Sequence, residues 1–290
     1  MIDTYTAELV RFAECLADDS RRLLAAAAPT ATATHADTKA DNSFVTEVDR
    51  AIETRLRERI SAAYPGHGIL GEEYGCANLD ADVTWIVDPV DGTAHLVAGI
   101  PLYGTLIGVS RHGRPWIGVL DYPATGDRWV GVAGLFARRN GRTVRTRRCP
   151  DLSAALTTCS NPDFFVPEEF EAFTRVRKQV RYTMYGASSF AYALLASGRT
   201  DLVVDGGLQA YDLFAPAAVI GGAGGMLTDW SGAELRLTSP DQSPSAAAGP
   251  RSAAAGQQPA AVVDQRSATR DQVVAAGDAR LHAAALRLLN

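Results

Sequence analysis

Three apolar residues, Trp85-Ile86-Val87, run directly into Asp88-Pro89-Val90-Asp91-Gly92-Thr93, so a buried strand delivers an acid at its end. Pro89 stops further pairing, and the turn that follows brings Asp91 back beside Asp88. Two carboxylates converging in one pocket repel unless a cation neutralises them. Magnesium meets that need with hard oxygen ligands, and two such ions about 3.5–4 Å apart clamp the attacking and leaving oxygens of a phosphoryl displacement. Gly92 and Thr93 offer backbone N–H groups where a helix can begin, a setting that favours a phosphate dianion. Read alone, Asp-Pro and Asp-Gly are equally the residues of an ordinary turn.

Three other places bear on that choice. Gly71-Glu72-Glu73 follows the apolar Ile69-Leu70 and puts adjacent acids at a strand end, where one can face solvent and the other a cation. Thr46-Glu47-Val48-Asp49 has the shape of a capping box, and Asp49 on that helix start can also face the site and, with Thr93, orient a nucleophilic water. In Tyr211-Asp212-Leu213-Phe214-Ala215-Pro216, Asp212 would cap a helix whose first turn tolerates Pro216. A solvated edge and two helix caps would explain the same three acids without any metal.

Around these motifs the pattern alternates between helix and strand. Leu9, Phe12, Ala13, Leu16 and Leu23 predict a helix over 6–28 ending at Pro29, and 30–42 reads as a polar loop. Val48, Ile52, Leu56 and Ile60 predict a second helix over 46–63, stopped by Pro65-Gly66. Short apolar runs at 85–87, 105–109, 116–120 and 128–132 read as strands. Helices follow over 168–180, 189–197 and 213–222, with strands at 202–204 and 226–229. Ala, Ser, Pro, Gln and Gly dominate 239–270, which reads as a low-complexity, loop-like insertion; a strand at 272–276 and a helix at 279–289 close the chain. Interleaved helices and strands imply layered α/β packing.

At 290 residues the chain can bury a full core without a disulfide or structural metal. A net charge of -5 argues against a nucleic-acid footprint and gives no reason to expect an anionic membrane partner. The four cysteines lack paired spacing and read as free thiols of a reducing compartment. With neither a leader pattern nor a membrane-length apolar run, a cytoplasmic location is expected.

In this order, Val45-Thr46-Glu47-Val48-Asp49, Gly71-Glu72-Glu73, Trp85 to Thr93, and Tyr211-Asp212 with Ala223-Gly224-Gly225 resemble the inositol monophosphatase family. The resemblance runs over nearly the whole of 1–290. It implies an α-β-α-β-α sandwich of two α/β subdomains, about 1–145 and 146–290, and hydrolysis of small-molecule phosphomonoesters with two or three magnesium ions per site. By position it makes Glu72, Asp88, Asp91 and Asp212 the metal ligands, with the Val90 carbonyl assisting. Thr93 and Asp49 become the pair that activates the attacking water, with Glu72 beside them. Gly92 and Thr93 form the phosphate cradle, and Asp205 grips the organic part of the substrate. A homodimer is also implied.

Within the family the chain is most similar to the bacterial histidinol-phosphate phosphatase branch, through Pro101-Leu102-Tyr103-Gly104-Thr105-Leu106-Ile107, Ala191 to Gly198 and Asp201-Leu202-Val203-Val204. That branch carries an Asp where this chain has Ser188, Lys-Pro in place of Gln209-Ala210, Glu in place of Gly221, and Ser-Phe or Asn-Phe in place of His95-Leu96. Ser188 offers a substrate only a neutral hydrogen bond, and His95 is a further candidate substrate contact. The alternatives are an inositol, aminocyclitol or sugar phosphate as substrate, and a non-catalytic relative that binds phosphorylated metabolites.

Overall fold

The computed structural model describes residues 2–28, 36–38, 44–237 and 272–290. The segment 239–270 and most of the loop expected over 30–42 lie outside the described residues. Helix α1 (Thr4–Ala27) starts at Asp3, whose carboxylate accepts from the Thr6 N–H. A two-stranded ribbon of β1 (Asp37–Thr38) and β2 (Phe44–Val45) leads to helix α2 (Glu47–Ala63). As the four-residue spacing predicts, α2 buries Val48, Ile52, Leu56 and Ile60.

The larger sheet contains β3 (Gly68–Gly71), β4 (Gly75–Ala77), β5 (Val83–Asp91), β6 (Gly104–Arg111), β7 (Arg114–Tyr122), β8 (Asp127–Val132), β9 (Phe136–Arg139) and β10 (Arg142–Thr143). Its order is β10-β9-β8-β7-β6-β5-β3-β4, antiparallel apart from the parallel pair β3 and β5. The six-residue helix α3 (Thr93–Ala98) follows β5 directly.

The smaller sheet has the order β12-β11-β13-β15-β14, from β11 (Leu156–Cys159), β12 (Tyr182–Tyr185), β13 (Leu202–Asp205), β14 (Met226–Asp229) and β15 (Val273–Ala276). Helices α4 (Pro167–Arg177), α5 (Phe190–Ala196), α6 (Ala210–Ala223) and α7 (Ala279–Leu289) accompany it.

The alternation of side chains along the strands sorts the core into three slabs. Trp85 and Val87 of β5, with Ile107 and Val109 of β6, join α1 and α2 on one face of the large sheet. Their neighbours Ile86 and Leu106 point the other way. They meet Tyr192 of α5, Leu213 and Phe214 of α6, and Val203, Val273 and Ala275 of the small sheet. The opposite residues Leu202, Val204, Val274 and Ala276 pack on Phe173 of α4 and Leu281 of α7. Two sheets, each covered on both faces, with one helix pair shared between them, make the α-β-α-β-α sandwich.

A row of glycines seats the shared helix. Gly108, Gly118 and Gly131 are cross-strand partners on β6, β7 and β8. A β-carbon at Gly108 would come 3.1 Å from the Ala215 nitrogen, one at Gly131 2.5 Å from the Val219 Cα, and one at Gly118 would strike the Ala215 carbonyl. Helix α6 therefore lies against bare backbone. Gly118→Val is expected to cost about 3 kcal/mol or more, because neither the helix backbone nor the strand can yield. A urea unfolding midpoint equal to that of the unsubstituted protein would contradict this packing.

Candidate active site

Strand β5 runs past Pro89 to Asp91, rather than stopping at Asp88 as its proline suggests. Asp88 pairs with Leu106 and Asp91 with Gly104, so three steps on β5 face two on β6. That mismatch is a bulge, the one place inside a strand where a residue without an N–H costs no ladder bond. In a regular strand residues three apart point to opposite faces; the extra residue turns Asp88 and Asp91 to the same side. The Thr105 hydroxyl holds the bulge by donating 2.8 Å to the Pro89 carbonyl, and it is itself bonded to the Ser20 hydroxyl of α1.

Asp212 completes the convergence: Asp88, Asp91 and Asp212 each present an oxygen within 4.8 Å of the others. Asp212 is the third residue of α6, not its cap as the sequence suggests. Gln209 occupies the cap position and donates its N–H to the Asp212 carboxylate at 2.6 Å. The helix begins three residues earlier than expected, which makes Pro216 an interior residue. Glu72, immediately after β3, adds its charge and a hydrogen bond to Asp88.

Burial and then the charges of Glu72, Asp91 and Asp212 push the Asp88 carboxyl well above its usual 3.8. Burial lifts Asp91 to about 6, against the hydrogen bonds of Ser189, which lower it. Asp88 is 1 % exposed, and its Oδ1 has no hydrogen-bond partner among the described residues. An orphaned carboxylate oxygen among acids is what a divalent cation satisfies, so this donor set of hard oxygens fits magnesium.

Just past the end of β5, Thr93 opens α3 and places its hydroxyl 2.9 Å from the Val90 carbonyl and 3.1 Å from Asp49 Oδ1. The capping box read from the sequence is present: Asp49 Oδ2 accepts from the Thr46 N–H at 2.8 Å and from its hydroxyl. Only Oδ1 remains for Thr93. Burial raises the Asp49 carboxyl, partly offset by Thr46 and Thr93. Gly92 sits at φ +76°, and a β-carbon there would come 2.8 Å from the Leu102 carbonyl and 3.0 Å from His95 Nδ1, so the turn from β5 into α3 admits only glycine.

The three residues expected to touch substrate bond to the protein itself. Asp205, 1 % exposed, accepts from the Ser160 N–H at 2.5 Å, the Ser160 hydroxyl at 3.0 Å and the Tyr192 hydroxyl at 2.8 Å. His95 Nε2 lies 2.9 Å from the Gly186 carbonyl, which can only accept, so Nδ1 is left to accept from the Ser188 hydroxyl at 3.4 Å. His95 and Ser188 thus form a half-buried pair over Gly92.

Sequence reading passed over Ser189, which donates its hydroxyl to Asp91 at 2.5 Å, and Glu53. Glu53 is buried on α2, one turn after Asp49. It accepts from the Glu73 N–H at 2.6 Å and the Tyr74 N–H at 3.1 Å, and from Arg57 at 2.7 Å, fixing the turn that carries Glu72. Its place on the same helix face as Asp49 is the signal that would have found it. All four cysteines are free, and no described helix is long and apolar enough to cross a membrane.

The inositol monophosphatase family model matches residues 6–267. The bifunctional phosphatase IMPL2, chloroplastic, of Arabidopsis thaliana is 43% identical over 196 residues, 67% of this chain; the match spans only 57% of that relative's length. The histidinol-phosphatase of Mycobacterium tuberculosis is 34% identical over 203 residues, 68% of this chain and 78% of that one. An inositol monophosphatase from Zymomonas mobilis superposes with a TM-score of 0.78 at 30% identity, covering 99% of both chains. By sequence and by fold the chain belongs to the inositol monophosphatase family, whose members are metal-dependent phosphomonoester hydrolases.

Proposed function

We propose that the chain hydrolyses the phosphate ester of a small polar metabolite, and that this metabolite is L-histidinol phosphate. Glu72, Asp88, Asp91 and Asp212, with the Val90 carbonyl, would hold magnesium. The orphaned, buried Asp88 oxygen within a cluster of acids carries the reading. When bound, magnesium neutralises these carboxylates and stabilises the negative charge that gathers on the phosphoryl oxygens.

The remaining chemistry belongs to side chains. The Thr93 hydroxyl donates to Asp49 and keeps a lone pair for the attacking water, whose proton passes through Thr93 to Asp49 as the water oxygen bonds to phosphorus. The ester oxygen leaves with the organic part and takes up a proton from solvent water, while Asp49 returns the proton it received to solvent, giving alcohol and inorganic phosphate. Gly92 lets the phosphate approach the backbone.

Histidinol phosphate is favoured by the likeness to the mycobacterial histidinol-phosphatase. A polyol, aminocyclitol or sugar phosphate is the second reading. It is favoured by Asp205, whose oxygens are engaged by Ser160 and Tyr192, and by the neutral Ser188. A cytoplasmic homodimer belongs to the same proposal.

A phosphate-release panel with added magnesium, spanning histidinol, inositol, aminocyclitol and sugar phosphates, is expected to show fastest release from histidinol phosphate. Equal or faster release from inositol phosphate would replace the substrate and keep the chemistry. No release from any ester would identify a binding protein without activity.

A further inference from the structure

We propose that Ser189, backed by Tyr122, is the positioning residue that fixes the Asp91 carboxylate for its cation, so that the site on the large sheet is set from the other half of the chain. This rests on the reading that Asp91 holds magnesium.

Asp91 ends β5 and is 8 % exposed. Its partner Ser189 is 98 residues away in sequence, just ahead of α5. The Ser189 N–H lies 3.2 Å from Asp91 Oδ2 and 3.4 Å from Oδ1, and the Ser189 hydroxyl 2.5 Å from Oδ2. Behind it, the Tyr122 hydroxyl of β7 is 2.6 Å from the Ser189 hydroxyl.

Chemistry settles the direction of this chain of bonds. A carboxylate only accepts, so the Ser189 proton points to Asp91, and the Tyr122 proton must point to Ser189. Every proton is committed, and Oδ2 takes the shortest bonds, leaving Oδ1 the less engaged oxygen. A ligand carboxylate held in one orientation binds a cation without first losing rotamer freedom.

The support is rigid at both ends. The Tyr122 ring is held edge-to-face by Trp129 at 6.0 Å and Phe190 at 4.9 Å, and Phe190 is the residue after Ser189. On the other side of Ser189, Ser188 has φ +43°, a left-handed conformation that costs a residue with a side chain. Such strain at the turn presenting Ser189 accords with a fixed position for its N–H and hydroxyl.

The experiment is a calorimetric titration of the full-length protein with Mn2+ in the absence of substrate. Ser189→Ala is expected to weaken binding by about tenfold. Ser189→Thr, which keeps the hydroxyl, should restore most of it. Tyr122→Phe keeps the ring contacts and should weaken binding roughly threefold, the worth of one hydrogen bond. Because Tyr122 acts through Ser189, the double variant should bind no more weakly than Ser189→Ala; a general structural role would instead add the two losses.

If Ser189→Ala does not fold, Tyr122→Phe carries the test. Unchanged affinity in the folded variants, beside an unsubstituted protein that binds, overturns the positioning role alone. An unsubstituted protein that takes up no Mn2+ overturns the functional reading beneath it as well.

Discussion

Asp91→Asn will leave a folded protein that releases phosphate about 10³-fold more slowly, while its metal-free form becomes more stable. The amide oxygen keeps the acceptor that Ser189 bonds, so the local hydrogen bonds persist. What disappears is one negative charge from the proposed ligand set, in which the oxygens of Asp88, Asp91 and Asp212 lie within 4.8 Å of each other. Weakening the cation's hold removes several kcal/mol of charge stabilisation in the transition state, and about 4 kcal/mol corresponds to that 10³-fold. Stability moves the other way, because the buried carboxyl whose value is lifted to about 6 is a burden at neutral pH when no cation is present. Opposite signs for activity and stability distinguish a functional acid from a structural one. Turnover within threefold of the unsubstituted protein at saturating magnesium would sink the assignment.

The second large effect is on the pH dependence of stability without metal. Between 3.8 and about 6, Asp91 keeps its proton in the folded chain and has lost it in the unfolded one. The folded state then binds more protons, so stability falls as pH rises through this window. Below 3.8 the two states are alike. Above about 6 the whole cost, on the order of 3 kcal/mol for this group, is present.

Asp88, Asp49 and Asp205 are raised in the same direction. Asp127, held low by Arg139, titrates beneath the window, whereas His67 and His282, pushed down by burial, act in the opposite sense toward 6.5. Comparison with Asp91→Asn cancels the histidines. In EDTA the variant's thermal midpoint should exceed the unsubstituted protein's by about 5 °C at pH 7 and by nearly nothing at pH 4. Magnesium should close the gap at pH 7. A gap independent of pH would contradict the burial cost.

Much of this site was legible because its acids sit in local patterns that betray their own geometry. Thr46 and Asp49 announce a capping box, and the box is present. The apolar run into Asp88 announces a buried strand, and β5 is buried throughout. The bulge was not legible, since it is a relation between β5 and β6 and the register of a pair is not written in either strand. Ser189 was missed beside Ser188 for a related reason: which of two adjacent serines faces Asp91 depends on a turn with one left-handed residue. Strands β11 and β12, Leu-Thr-Thr-Cys and Tyr-Thr-Met-Tyr, escaped because neither is an apolar run, and parallel pairing inside the sandwich supplies the stability that their own pattern lacks.

The mismatch between β5 and β6 also limits how this chemistry can be transplanted. Grafted onto a regular strand of another scaffold, Asp88-Pro89-Val90-Asp91 would send its two acids to opposite faces and lose a ladder bond at the proline. A portable unit must include the neighbouring strand with its shorter count and the Thr105 hydroxyl that pins the Pro89 carbonyl. The smallest transferable piece is thus a pair of strands with a deliberate miscount, rather than a peptide motif.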